Sequence, residues 1–217
     1  MLKLLKKEFA LCANPLSLLF LLFAAMVFIP SYPTLVGGFF VTLGIFYSFQ
    51  SLGESNDILY TALLPIRKVD TVKAKFLFVL LLQIAAFLLF FAAVLVRMFL
   101  LSGSDVYAQS ALMPPNFAFL GFLLVLFGLY LILFLGGFFK TAYRVGKPFL
   151  VYCIVGFIFI SLVEVLYHIP GLEGIGAGVG ENLTLSLLIL AFGVVFYGVA
   201  FLLSFQKACR NFESIDL

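Results

Sequence analysis

The 217-residue sequence contains no tryptophan, one histidine, three cysteines and little charge. Each shortage removes a class of protein. Asp, Glu, Lys and Arg make up 11% of the chain, whereas soluble domains carry roughly 25%. A water-facing surface cannot be built from so few charges, so the chain reads as an integral membrane protein. His168 alone cannot supply the clustered His and Glu ligands of an intramembrane metalloprotease. Ser161 lies seven residues before it, about 10 Å of helical rise, which does not suit a nucleophile facing its base. Cys12 and Cys209 fall on the expected reducing side and Cys153 inside an apolar run. A structural disulfide is therefore not expected, and the thiols read as small apolar filler. No Gly-x-x-x-x-Gly-Lys-Ser/Thr loop is present to cradle phosphates. Gly146-Lys147 runs into Pro148, and Lys140-Thr141 follows two phenylalanines. The Gly-rich run from Gly171 to Gly180 has no strand before it and reads as an outer loop, not a dinucleotide site. The net charge of +3 leaves no basic surface for nucleic acid.

What the chain does have is apolar length. Hydrophobic residues make up 65% of it, with 29 Phe. A membrane crossing needs roughly 20 apolar residues, and six runs qualify, at about 16–30, 35–52, 76–101, 117–139, 149–168 and 183–205. The first is short and calls for tilt or local thinning of the bilayer. It lacks a small-residue cleavage site and passes through Pro30-Ser31-Tyr32-Pro33 into the second, so it is expected to be retained. Basic side chains resist translocation. Lys3, Lys6 and Lys7, then Arg67, Lys68, Lys73 and Lys75, then Lys140, Arg144 and Lys147, and finally Lys207 and Arg210 mark alternate connections. The connections near 31–34, 102–116 and 169–182 have none, so six crossings put twelve of the 13 basic residues on one side. The expected fold is an all-α membrane domain with both termini and the 206–217 tail in the cytoplasm. Lys73 and Lys75 are expected to hold the third crossing's end there.

Two cytoplasmic pieces have more structure than a connection needs. Residues 1–15 pattern as an amphipathic helix, with Lys3, Lys6, Lys7, Ala10 and Asn14 on one face and Leu2, Leu5, Phe9 and Cys12 on another. Such a helix lies in the interface with its lysines toward anionic headgroups; a plain basic anchor fits equally. Asn14-Pro15 then suits a cap and first turn. The second piece, 53–75, lies almost wholly in the run ESNDILYTALLPIRKVDTVKAKF, Glu54 to Phe76, with seven of the chain's 23 charged residues. Ser55 or Asn56 can cap a short helix, with Asp57 favouring its positive end. Ile58, Leu59, Ala62 and Leu63 share one side, and Pro65 stops the helix at Leu64. Arg67 and Lys68 fall in the break, and Asp70 or Thr71 can cap the next helix. Two readings stand: a stiff docking surface with apolar residues to insert and charges to set register, or a solvated loop.

Polar groups inside the runs are few. Arg97 lies near the outer end of the third, where it can snorkel. Glu164, of opposite charge and similar depth, offers it a partner or lines an exit route. Gln50, Gln83 and Ser161 suit bonds between helices. Any pathway would be lined by Phe, Leu, Tyr, Gly and small hydroxyl residues, which suits hydrophobic or amphipathic cargo.

This layout resembles the membrane subunits of type-2 ABC exporters, closest to small bacterial permeases. The resemblance rests on Glu54, Asp57, Tyr60, Thr61, Leu64-Pro65, Arg67-Lys68 and Val72-Lys73-Ala74-Lys75 between the second and third crossings. It implies that the helix at 55–64 is a coupling helix seated in a cleft of a separate ATPase subunit. Glu54, Asp57, Ile58, Tyr60, Leu63, Leu64, Pro65, Arg67 and Lys68 would then make the docking surface. It also implies that the N-terminal helix, with Lys3, Lys6, Lys7 and Phe9, is the connecting helix. ATP and Mg would be held by two partner ATPases, with no cofactor or metal on this chain. The permease would act in the bacterial plasma membrane as a homodimer or with a related permease. Arg97 and Glu164 would stand at the outer gate, and small relatives often export amphipathic peptides such as bacteriocins or cytolytic toxins. A membrane scaffold or immunity protein, or an exporter of lipids or small drugs, remains the alternative.

Overall fold

The computed structural model describes residues 2–12, 15–54, 67–101, 107, 112–141, 145–176, 178 and 183–214. Among them every regular element is helical. Helix α1 spans Leu2–Cys12, and α2 (Pro15–Leu19) continues as a 3-10 helix over Phe20–Phe28. Helices α3 (Leu35–Glu54) and α4 (Lys68–Leu100) follow. Helix α5 (Phe117–Tyr130) passes through a π-helical turn, Leu131–Leu135, into α6 (Gly136–Thr141). Helix α7 is Gly146–Tyr167, a 3-10 turn occupies Glu173–Gly176, and α8 is Thr184–Glu213. Four stretches are long and apolar enough to cross a membrane: α4, Phe117–Lys140, α7 and α8. Ser17–Phe28 and Leu35–Ser51 are shorter apolar helices.

Helix α5 is the central post. In the most apolar stretch of Phe117–Lys140, which α5 begins, 72% of the residues are buried, against 17% for α8. A helix apolar all round is what a position surrounded by other helices requires. The backbones of α5 and α8 touch at glycine: a Cβ on Gly193 would lie 2.4 Å from the carbonyl oxygen of Gly121. Small residues allow such close approach where no water drives helices together. Between α3, α5 and α7 the space is filled by rings, with Phe46 stacked on Phe149 at 3.8 Å and Phe49 edge-on to Phe134 and Phe138.

The first apolar run resolves its shortness by geometry. A 3-10 helix rises about 2.0 Å per residue instead of 1.5, so Pro15–Phe28 reaches about 25 Å rather than about 21 Å. Pro15 begins α2, where a missing N–H costs nothing. The π turn in the fourth run leaves the Leu131 carbonyl open to two donors, the Gly136 N–H and the Ser204 hydroxyl.

Side-chain contacts sort the elements by end. At one end α1 packs on α4 through Phe9 and Phe78, the Lys68 ammonium approaches the Glu213 carbonyl at 3.5 Å, and Phe139 meets Phe212. Pro148, at the start of α7, lies against Gly137 there. At the other end Arg97 meets Val27, Met113 meets Glu164, and Asn116 meets Ile175. Apart from Arg97, the described Lys- and Arg-bearing segments thus gather at one end.

Three details depart from expectation. Helix α4 begins at Lys68 with Arg67 as an uncapped N-terminal residue, so neither Asp70 nor Thr71 caps it. Asp70 sits in the first turn instead, 3.1 Å from Arg67 Nε, where its charge suits the positive helix end. The Gly-rich connection is not wholly a free loop. Asn116 Nδ2 donates to the Ile175 carbonyl at 2.6 Å and Ser186 to the Gly174 carbonyl at 3.0 Å, pinning the 3-10 turn. Lys75, expected only to hold the third crossing's end in the cytoplasm, is 1% exposed, because a carboxylate from α1 meets it inside the protein.

Candidate functional site

The basic end is built on that contact. Lys75 Nζ donates to Glu8 Oε2 at 3.0 Å, and Lys7 Nζ lies 3.2 Å from Glu8 Oε1. Both carboxylate oxygens are thus engaged by cations, while the Glu8 and Lys75 side chains are each 1% exposed. Taking two charges out of water is costly, and only close geometry offsets it. Beside this contact Phe9, next to Glu8, and Phe78, one turn after Lys75, meet edge-to-face at 5.2 Å. Helix α1 is therefore locked to the root of α4 by charge and by rings, with Lys6 turned outward.

Of the residues expected to dock a partner, Asp57, Ile58, Tyr60, Leu63, Leu64 and Pro65 lie outside the described residues. Glu54 is the last residue of α3. Arg67 is exposed and Lys68 half-buried, on the first turn of α4. Lys3 belongs to α1. In sequence, the 55–66 segment lies between the end of α3 and the root of α4. Also at this end, Cys209 sits near Glu213 and Lys73. Burial first, then the Glu213 carboxylate, pushes its thiol above the usual range, and Lys73 pulls the other way.

Within the bundle, polar groups bond between helices. Gln83 donates to the Phe127 carbonyl at 3.4 Å and accepts from the Tyr197 hydroxyl at 2.8 Å, joining α4, α5 and α8. Thr42 gives its proton to the Phe39 carbonyl at 2.7 Å, so Tyr152 is the donor in their 2.8 Å contact. Gln50 and Ser161 are exposed instead. No group of three His, Cys, Asp or Glu suited to a metal occurs among the described residues.

At the other end the structure separates Arg97 from Glu164. The Arg97 guanidinium donates to the Val27 carbonyl and lies over the Tyr107 ring at 4.4 Å, while Tyr107 donates to the Phe28 carbonyl at 3.0 Å. Arg97 is only 8% exposed. It therefore does not snorkel; it turns inward to the carbonyl end of the 3-10 helix, where a cation is favoured. Glu164 accepts from the Met113 N–H at 3.2 Å, so the expected pair is not formed. Between these two ends an open apolar groove of about 320 Å³ runs between the 3-10 helix and α4, lined by Leu21, Leu22, Ala25, Leu89, Ala92 and Val96.

Sequence reasoning missed Glu8. The available signal was a single acid among three lysines in α1, and hydropathy gives no hint of which way it points.

Comparison with known proteins yields one family: the model for the ABC-2 family transporter protein matches residues 3–213. No curated protein and no solved structure matches.

Proposed function

The chain belongs to the ABC-2 transporter family, a multi-pass plasma membrane protein and permease of an ABC exporter, and from that premise we propose how it works and what it carries. The permease is the transmembrane component and not the catalyst, and its family works with an ABC ATPase.

In our reading six spans cross the membrane with both termini in the cytoplasm, and the basic end of the bundle faces the ATPase. The gathering of Lys- and Arg-bearing segments at that end supports this orientation. Residues 55–64 form the coupling helix, and Asp57, Leu63 and Arg67 set its fit in a cleft of the partner. Two permease subunits, identical or related, work with two ATPases, which hold ATP and Mg. Closure of the ATPases moves the coupling segments and exposes the route alternately to each side. The cargo is an amphipathic peptide. What supports this reading is composition: 29 Phe and nine Tyr beside 11% charged residues, since rings offer large, adaptable contact area.

The test is transport in sealed vesicles holding this chain and the ATP-binding chain that co-purifies with it. ATP-dependent accumulation of a labelled amphipathic peptide, absent with a non-hydrolysable analogue, is the expected result. ATP-dependent movement of a labelled phospholipid or hydrophobic dye, with no peptide movement, would replace the peptide reading with the lipid or drug one.

A further inference from the structure

Helix α4 carries two buried cations, and both meet the N-terminal segment, one at α1 and one at the end of the 3-10 helix. Lys75, near its root, meets Glu8 on the helix that leads into the first span. Arg97, near its far end, meets the Val27 carbonyl that closes the first span. The two cations are 22 residues apart in one unbroken helix, about 33 Å. They bracket the membrane stretch from end to end. Between them the contact with the first span is apolar and partly open, as the groove shows. The polar grip is at the ends.

We infer that Lys75 and Arg97 are positioning residues that clamp the first span to α4 at both ends, so that the two spans move as one body when the 55–66 segment is pushed. This rests on the permease reading above.

The chain path makes the clamp mechanically sensible. Residues 55–66 run directly into Arg67 and α4, so displacement of that segment reaches α4 along the backbone. The first span has no such covalent link to it, because α3 and the connection after Phe28 intervene. Glu8–Lys75 supplies a link through α1, the helix before the first span, about 10 Å from the start of α4. Held only there, a 3-10 stretch could shorten toward α-helical rise and absorb the push, since nine residues differ by about 4.5 Å between the two forms. Arg97 and Tyr107, bonded to the last two carbonyls of that stretch, hold its far end. A clamp at both ends transmits displacement; a clamp at one end lets it dissipate.

The test uses the full complex of this chain with its co-purifying ATP-binding chain. Removing one partner alone leaves a buried charge, so the informative variant is the apolar pair E8L/K75M, with Arg97→Met as the far-end counterpart and Arg97→Lys as its conservative control. Folding is checked by thermal unfolding and by recovery of the ATP-binding chain. The readout is labelled peptide, or whichever cargo the wild type moves, transported per ATP hydrolysed. The expected result is complex formation and ATP hydrolysis within about twofold of wild type, with transport per ATP falling about tenfold, a usual size for a lost coupling between sites. Arg97→Lys is expected to recover part of it. If E8L/K75M and Arg97→Met fold and transport at the wild-type ratio, the clamp is overturned while the permease reading stands. If wild type itself moves no cargo with ATP, the permease reading fails first.

Discussion

At the scale of single residues, charge inside an apolar protein is tolerated only where a partner meets it, and Glu8 and Lys75 show what that demands. Glu8→Gln leaves Lys75 charged at a site 1% exposed, and should lower stability by about 3–5 kcal/mol. The apolar pair E8L/K75M should recover much of that loss, because the fully buried pair is gone and only Lys7, 18% exposed, keeps its charge beside the site. Thermal unfolding in detergent compares the three. Arg97→Met should cost about 2 kcal/mol, the worth of a hydrogen bond from a charged donor, by the same measurement. Cys209 offers a pH test. Its thiol is held above the usual range by burial and Glu213, and only the thiolate reacts. Its alkylation, followed by mass spectrometry, should be slow at pH 7 compared with an unstructured peptide thiol, and should keep rising at a pH where the peptide has levelled off.

At the scale of elements, the helices follow from apolar run length, and their departures from ideal form follow from contacts. Apolar run length marks where helices lie but not where they stop. Helix α7 ends at Tyr167, beside the expected 168. Helix α4, by contrast, begins at Lys68 instead of near 76 and α8 continues to Glu213 instead of 205, because charged residues extend both helices. The 3-10 stretch was not legible, since rise per residue leaves no mark on composition. Nor was the π turn at Leu131–Leu135, which depends on the Ser204 hydroxyl from a helix some seventy residues away. The α5–α8 contact gives a sharp test. Gly193→Leu would force atoms into the Gly121 backbone and should cost about 3 kcal/mol or more. Gly198, on the same helix, has open space around its α-carbon, so Gly198→Leu should be neutral or mildly stabilising. The yield of monodisperse protein separates the two.

At the scale of the whole molecule, family and broad architecture were legible from the spacing of apolar runs and from the polar segment before α4, and the family match over residues 3–213 agrees. The inner workings were not. Nothing in the sequence says that Glu8 turns inward, that Lys75 leaves the interface, or that Arg97 prefers a carbonyl to Glu164, because each depends on helix rotation fixed by packing among distant segments. The resulting molecule has a central post, α5, and a basic end where α1, α4, α6 and α8 meet. In our account that end is where ATP hydrolysis on another chain is converted into movement. Recovery of the ATP-binding chain with tagged wild type and with D57K/L63D tests this most directly. The account predicts that the variant inserts and melts like wild type but loses the ATP-binding chain and transport; a variant that keeps both would contradict it.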